Sequence, residues 1–256
     1  GNQNLQEETA DTFTLGVVLT PSFIPDFSLT VDYWDIDIEG AVNAFPAQAI
    51  LNGCVDGDTI DNPLCSSVTR GTDGNIQTVS SQLINVGSFE ATGIDFEARY
   101  RLNLDSVFNT DGIVDFALTA TYLDKLDFFA QEGQSEPDRE AGELGDPKWV
   151  ANLRATYRND RWTVSLYERF LDSQVFDLAE PEEFRDPNST GSEFYTDLQV
   201  RYAVSEQTDL YVGVNNLFDN ALPQLARVPE TRGFGDDAVI YDQQGRYFYL
   251  GAGVKF

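Results

Sequence analysis

The chain has 256 residues, 43 acids against 16 bases, a formal charge of −27, and neither His nor Met. A Ser-His-Asp triad, a His-ligated zinc and a histidine general base are therefore excluded, and so acidic a chain is a poor partner for nucleic acid. Mean hydropathy is negative, and the longest charge-free stretches, Gly40–Val55 and Gly74–Phe89, are 16 residues each and interrupted by polar residues or Pro, so no transmembrane helix is expected.

Period-two alternation of apolar residues recurs in nine segments separated by turn chemistry. In chain order the apolar sets are Phe13, Leu15, Val17, Leu19; Phe27, Leu29, Val31, Tyr33; Ile94, Phe96, Ala98, Tyr100, Leu102; and Val114, Phe116, Leu118, Ala120, Tyr122. They continue as Trp149, Ala151, Leu153, Ala155, Tyr157; Trp162, Val164, Leu166; Thr196, Leu198, Val200, Tyr202; Leu210, Val212, Val214; and Phe248, Leu250, Ala252, Val254, Phe256. Between them stand polar residues such as Asp95, Glu97, Arg99 and Arg101, or Asn152, Arg154 and Thr156, or Asp197, Gln199 and Arg201. In a soluble sandwich large aliphatics should dominate the apolar face. Here Ala is scattered along it and rings collect at strand ends, as at Tyr100, Tyr157, Trp162 and Tyr202, which suits a sheet facing lipid with its polar face toward a lumen. The fold class expected is all-β: a transmembrane antiparallel up-and-down β-barrel, with Gly74–Leu102 read as one long strand.

Connections alternate in length. Pro21–Asp26, Asn103–Gly112, Arg158–Arg161 and Ala203–Gln207 are short, whereas Glu39–Asn75, Ala130–Asp146, Asp172–Glu193 and Asp219–Gly245 are long. Outer-membrane barrels carry short turns at the periplasmic end and long loops outside, and structureless loops above about 15 residues count against a compact soluble domain. Together with Gly1–Glu8, the four long loops hold 25 acids and 5 bases, so most of the negative charge lies at one end. Solvated loops are the plain reading of that charge; attraction of cations is the functional one, with Glu180, Glu182 and Glu183 offering hard oxygens to Ca²⁺ in no EF-hand spacing. Cys54 and Cys65 stand in a stretch of Asp, Asn, Gly and Pro, a context favouring a loop disulfide made in an oxidising compartment over free thiols. Gly40–Asn52 reads as a short amphipathic helix beside them, able to fold over a barrel mouth.

Four stretches resemble the C-terminal half of a TonB-dependent outer-membrane receptor. Gly1-Asn2-Gln3-Asn4-Leu5-Gln6-Glu7-Glu8 resembles that family's GNxxLxPE segment, with Glu7 where Pro is usual. Asn85-Val86-Gly87-Ser88 with Gly93-Ile94-Asp95-Phe96-Glu97 resembles a long strand of the pattern N-x-G…G-[IV]-[DE]-[FL]-E. Tyr211–Asp219 is similar to the penultimate-strand V-x-N-L-F-D motif, and Gly245–Phe256 to the terminal strand, where Phe248 and the closing aromatic Phe256 match the barrel-assembly signal. The resemblance implies a 22-stranded barrel around an N-terminal plug, of which residues 1–256 form about the last nine strands, with external loops at 39–75, 130–146, 172–193 and 219–245. Dividing Gly74–Leu102 near Gly87 would give ten strands instead. A helix followed by paired cysteines also recurs in that family's loops.

Function follows as an expectation from the resemblance. A TonB-dependent receptor in the outer membrane of a Gram-negative bacterium imports a scarce nutrient too large for porins, such as an oligosaccharide, a ferric siderophore or a cobalamin-like compound. The partners implied are outer-membrane lipid and lipopolysaccharide, the protein's own plug and remaining strands, the TonB complex and the barrel assembly machinery. The alternative is a passive outer-membrane porin or structural barrel. No enzymatic activity, cofactor or metal is expected: carboxylate pairs such as Asp95/Glu97 line a wall more readily than they perform acid–base chemistry. Inward Tyr167, Tyr211, Tyr247 and Tyr249, with Trp34 near the outer end of its strand, are the candidates for stacking on sugar rings or aromatic ligand groups, and plug packing or girdle placement is their plainer use. Acidic loops repel strongly anionic ferric complexes, which inclines the expectation toward a neutral oligosaccharide.

Overall fold

The computed structural model describes the chain apart from residues 1, 4, 57–60, 62, 86, 130–135, 180–186, 224–239 and 256. Expectations placed on Phe256, on Glu180, Glu182 and Glu183, and on motif positions Gly1, Asn4 and Val86 fall outside the described residues.

The first strands are β1 (Thr9–Leu19), β2 (Phe27–Glu39) and β3 (Val42–Asn43), followed by helices α1 (Ala47–Asp56) and α2 (Pro63–Ser66). Next come β4 (Val68–Arg70), β5 (Ile76–Val79), β6 (Ile84–Asn85), β7 (Ser88–Asn103), the short helix α3 (Leu104–Phe108), β8 (Ile113–Phe129) and β9 (Asp138–Arg139). The chain continues with β10 (Trp149–Arg158), β11 (Trp162–Leu171), β12 (Glu193–Ala203), β13 (Thr208–Asn215) and β14 (Tyr247–Val254). One antiparallel sheet runs β1-β2-β7-β8-β10-β11-β12-β13-β14, with β9 beside β8, so nine strands make the path and β1 and β14 are its edges. The sheet is not closed. No described helix is long and apolar enough to cross a membrane.

Two expectations need correction. Gly74–Leu102 is not one strand: β5 pairs with β4, β6 with β3, and only β7 joins the main sheet. The break has a physical cause at Asn85 and Gly87. The Asn85 amide donates to the carbonyls of Gln6 and Gly40 and accepts from the Gln6 N–H, and Gly87 has a φ of 29°. Because the pieces before Gly87 belong to the loop, dividing there leaves nine strands in the wall rather than ten. The helix expected at Gly40–Asn52 starts later, at Ala47, because Val42 and Asn43 pair with Asn85 and Ile84; the Pro46 carbonyl accepts the first helical bond, from Ile50.

The chain divides into two compact units. The smaller comprises Gly1–Phe13, Asp35–Thr92 and Lys125–Arg139. Its centre is a miniature core in which Ile50 of α1 and Leu64 of α2 are each 2% exposed, stapled by the Cys54–Cys65 disulfide. The β4–β5 hairpin packs beside α1 and α2, and its turn is held by Asp73, which accepts from the backbone and the side-chain amide of Asn75. The Asn75 side-chain bond, then the backbone bond, hold the Asp73 carboxyl below its ordinary range. Elsewhere in this unit Lys125 pairs with Glu90 at 3.0 Å, and the Phe45 ring meets Phe128.

The larger unit comprises Thr14–Trp34, Gly93–Asp124 and Glu140–Phe256. Its strands read as alternation requires: in the register Leu153↔Leu118, Leu153↔Glu168, Leu166↔Leu198 and Val200↔Val212, one face is largely apolar. Rings mark both ends of that face. Trp162 packs against Tyr202 at 4.6 Å near the short turns, and Phe170 against Phe194 at 4.8 Å near the long loops. These two levels of β11 lie eight residues apart, about 26 Å along a strand, which with a tilt of about 40° covers most of an apolar band roughly 25 Å tall. Tight turns close the lower end: the Asn159 carboxamide oxygen accepts from the N–H groups of Arg161 and Trp162, and the Tyr157 hydroxyl donates to the Asp111 carbonyl.

The V-x-N-L-F-D stretch is a strand terminator. Asn216, 1% exposed, adopts a left-handed backbone at φ 50°, sends its own N–H to the Asp197 carboxylate and exchanges two side-chain bonds with Asn220. Asp219, also left-handed, accepts from the Arg246 N–H and pairs with its guanidinium, which aims the chain into β14. Phe248 stands on β14 with Leu250 on the apolar face, 67% and 85% exposed.

Candidate ligand-facing wall

Opposite the apolar face, the larger unit carries a polar lattice. Arg101 and Arg158 share the Asp115 carboxylate, Arg201 pairs with Asp209 at 3.1 Å, and Thr121 donates to Asp95. The Tyr167 hydroxyl donates to Asn152 at 2.6 Å, and Gln199 donates to the Tyr249 hydroxyl at 3.1 Å. Guanidinium groups lie over rings as well: Arg154 over Tyr167, Arg169 over Tyr195 and Arg201 over Tyr211, at 5.8, 4.7 and 5.2 Å from the centroids. Arg154 and Arg169 have no carboxylate partner among the described residues, whereas Arg101, Arg158 and Arg201, nearer the short turns, do.

Hollows open on this face. One of about 730 Å³ is bordered by Arg154, Tyr167, Asp197, Gln199, Arg201 and Tyr249. Another of about 180 Å³ lies toward the long loops and is bordered by Tyr167, Arg169, Tyr195, Asp242, Gln244 and Tyr247. Tyr167 lines both hollows, Tyr249 the larger and Tyr247 the smaller, so three of the five residues expected to meet a ligand come together. Tyr211 stands 6.4 Å from Tyr249, but its ring covers Gly251, while Tyr249 covers Gly213 reciprocally; a side chain at either glycine would collide with the ring. Trp34 lies elsewhere, its ring laid over Gly93, and borders neither hollow.

Above the smaller hollow the long loops are knit by a buried network. The Gln174 side chain, 1% exposed, donates to the Tyr241 hydroxyl and accepts from the Gly145 N–H at 2.8 Å; Tyr241 donates to the Thr190 hydroxyl, which also accepts from the Gln174 N–H, and the Thr190 N–H donates to the Gln174 carbonyl. Tyr241 packs with Leu171 and Tyr195. Burial pushes its phenol above the ordinary value of 10.0, against the hydrogen bond from its own hydroxyl to Thr190.

Arg169 and Tyr195 were legible in the sequence by extending the parity of Tyr167 and Asp197 two residues toward the long loops. Gln174 and Tyr241 were not: 67 residues separate them, and neither lies in a periodic segment. Among the described residues no group of three His, Cys, Asp or Glu side chains could hold a metal ion. The wall offers ring faces, hydroxyls, amides and two guanidinium groups without a carboxylate partner among the described residues.

A sheet with one apolar face banded by rings, one polar face with hollows, tight turns at one end and long knit loops at the other defines a segment of outer-membrane β-barrel. The chain belongs to the TonB-dependent receptor-like β-barrel family, whose family model matches residues 1–217. That family comprises receptors of the Gram-negative outer membrane. No curated protein matches the chain. Among solved structures it is similar to a point mutant of the ferric enterobactin receptor PfeA from Pseudomonas aeruginosa in complex with enterobactin, at 18% identity and a TM-score of 0.65, covering 100% of this chain and 32% of that one. The siderophore receptor PirA from Acinetobacter baumannii gives 16% identity and a TM-score of 0.61 over 100% and 33% of the two chains. The FrpB iron transporter from Neisseria meningitidis, F3-3 variant, gives 12% and 0.57 over 100% and 31%. The chain thus spans about a third of the length of these receptors, and at such identities the likeness concerns the fold.

Proposed function

We propose that this chain forms wall and external loops of a receptor that imports a large, scarce nutrient across the outer membrane of a Gram-negative bacterium, driven by the TonB complex through a plug that the same protein supplies. The observation that carries this reading is the two-sidedness of a nine-strand sheet that belongs to the receptor family. Transport in this scheme needs no covalent step. The wall binds and guides solute, and the loops gate its approach.

For the solute, the acidic loops favour a neutral polar molecule such as an oligosaccharide, since like charge at the mouth slows the arrival of anions. Ring faces at Tyr167, Tyr247 and Tyr249 suit sugar stacking. A second reading, a ferric siderophore, is favoured by Arg154 and Arg169, which have no carboxylate partner among the described residues, and by the siderophore receptors among the structural neighbours. Accumulation of a labelled maltooligosaccharide and of a ferric catecholate should be measured in cells carrying the full-length receptor, with and without TonB. Saturable uptake of either that requires TonB is the expected result and chooses between the solutes. Non-saturable uptake indifferent to TonB would instead make the protein a passive pore.

A further inference from the structure

On the outer face, at the short-turn end, one basic residue is treated differently from its neighbours. Arg101, Arg158 and Arg201 point to the inner face and meet carboxylates of the wall. Arg161 sits in the turn before β11, with its N–H on the Asn159 side chain and its carbonyl accepting from Ala203, so its backbone is fixed on both sides. Its guanidinium Nη1 donates to the Tyr202 hydroxyl at 3.2 Å, and Tyr202 belongs to the apolar face. Arg161 has no carboxylate partner among the described residues; Asp160 of the same turn borders a separate hollow with Arg158 and Asp105. Beneath the guanidinium the Trp162 and Tyr202 rings pack together, and from them an apolar groove of about 310 Å³ runs along Val200, Leu210, Val212 and Leu250.

We propose that this groove is a glycerophospholipid site of the periplasmic leaflet, with the lipid phosphate on Arg161, the glycerol region against Trp162 and Tyr202, and an acyl chain in the groove. The occupant is argued from charge and shape together. One N–H of a planar five-donor guanidinium is spent on the phenol, which orients the group and leaves its remaining donors for phosphate oxygens. Amphipathic rings below suit the ester level of a leaflet, and only a molecule with an anionic head and an apolar tail satisfies both parts at once. The site relies on the proposed function solely for placing this face in a membrane.

The test uses the full-length receptor, delipidated in detergent and titrated by native mass spectrometry with dioleoylphosphatidylglycerol, dioleoylglycerol and lipopolysaccharide. Wild type should retain one phosphatidylglycerol in preference to the other two. Arg161→Ala should weaken that retention about fivefold, the effect of one basic residue at a membrane surface, whereas Arg161→Lys, which keeps the charge, should hold most of it. Folding is followed by the heat-dependent gel mobility of the barrel, and Arg161→Lys with Trp162→Ala serves if the alanine variant does not fold. Retention unchanged by Arg161→Ala, or equal retention of the uncharged diacylglycerol or of lipopolysaccharide, overturns the site. TonB-driven uptake measured on the same variants separates the two readings: lost lipid retention with uptake intact leaves the import reading standing, and a receptor that never reaches the outer membrane defeats that reading first.

Discussion

The two units order their long loops by opposite means. In the smaller, a covalent bond between Cys54 and Cys65 and two buried aliphatics, Ile50 and Leu64, hold a helix and a hairpin. In the larger, one glutamine, one tyrosine and one threonine do the equivalent work with hydrogen bonds that leave no polar atom of Gln174 unused. A staple stabilises chiefly by restricting the unfolded loop, so it tolerates local change. A buried polar network stabilises only while every partner is present, because an orphaned donor or acceptor costs more than the bond it replaces was worth.

The contrast can be broken from either side. Replacing both Cys54 and Cys65 by Ala should cost the smaller unit about 3 kcal/mol of local stability, read by hydrogen exchange as lost protection over Ala47–Val79. Amides around Gln174 should keep theirs; loss in both places would mean that the loops are not independently ordered. Gln174→Ala should cost the larger unit about 2–3 kcal/mol by stranding the Gly145 N–H and taking away the donor to the Tyr241 hydroxyl, and limited proteolysis should then cut near residues 172–178 and 188–192 while the strands stay resistant. A milder change, Tyr241→Phe, keeps the ring against Leu171 and Tyr195 and strands the Gln174 amide that donated to the hydroxyl, for about 1–2 kcal/mol; no loss at all would place the weight on ring packing instead.

Smallest of all, pH should loosen the two units at opposite extremes. The Asp73 carboxyl has a lowered pKa, so its contribution is complete above the ordinary 3.8 and fades as pH falls through the folded value. Tyr241 has a raised pKa, so its contribution is complete below 10.0 and fades as pH rises through the folded value. Exchange protection in the β4–β5 hairpin should therefore drop in acid and that of the Gln174 network in alkali, and a shared pH response would erase the distinction.

Strands were legible wherever a segment has a neighbour on each side and one face in lipid: β10, β11 and β12 follow the alternation except at Glu168, which stands on the apolar face and accepts from Thr196, and Tyr167, Tyr247 and Tyr249 met on the face their parity assigns. Gly74–Leu102 misled because loop hairpins use the same period-two pattern over short runs. What separates them from the wall, the Asn85 side chain bonded to Gln6 and Gly40, is a contact across 79 and 45 residues. Trp34 illustrates a different limit. Its ring is occupied with Gly93, and nothing in the periodicity of either strand announces that a glycine will need cover. The loop network was invisible for a similar reason, since a satisfied buried glutamine has no compositional signature.

That need for cover has a last consequence, at the β13–β14 pair. Gly213 lies opposite Tyr249 and Tyr211 opposite Gly251, so two large and two absent side chains interlock across the seam. Sliding β14 by two residues in one direction sets Tyr249 against Tyr211; sliding it in the other sets glycine against glycine and leaves a gap. Neither slip changes which face is apolar, so lipid alone would accept both. The seam is keyed like a lock with two wards, and the key is cut on the inner face, away from the lipid.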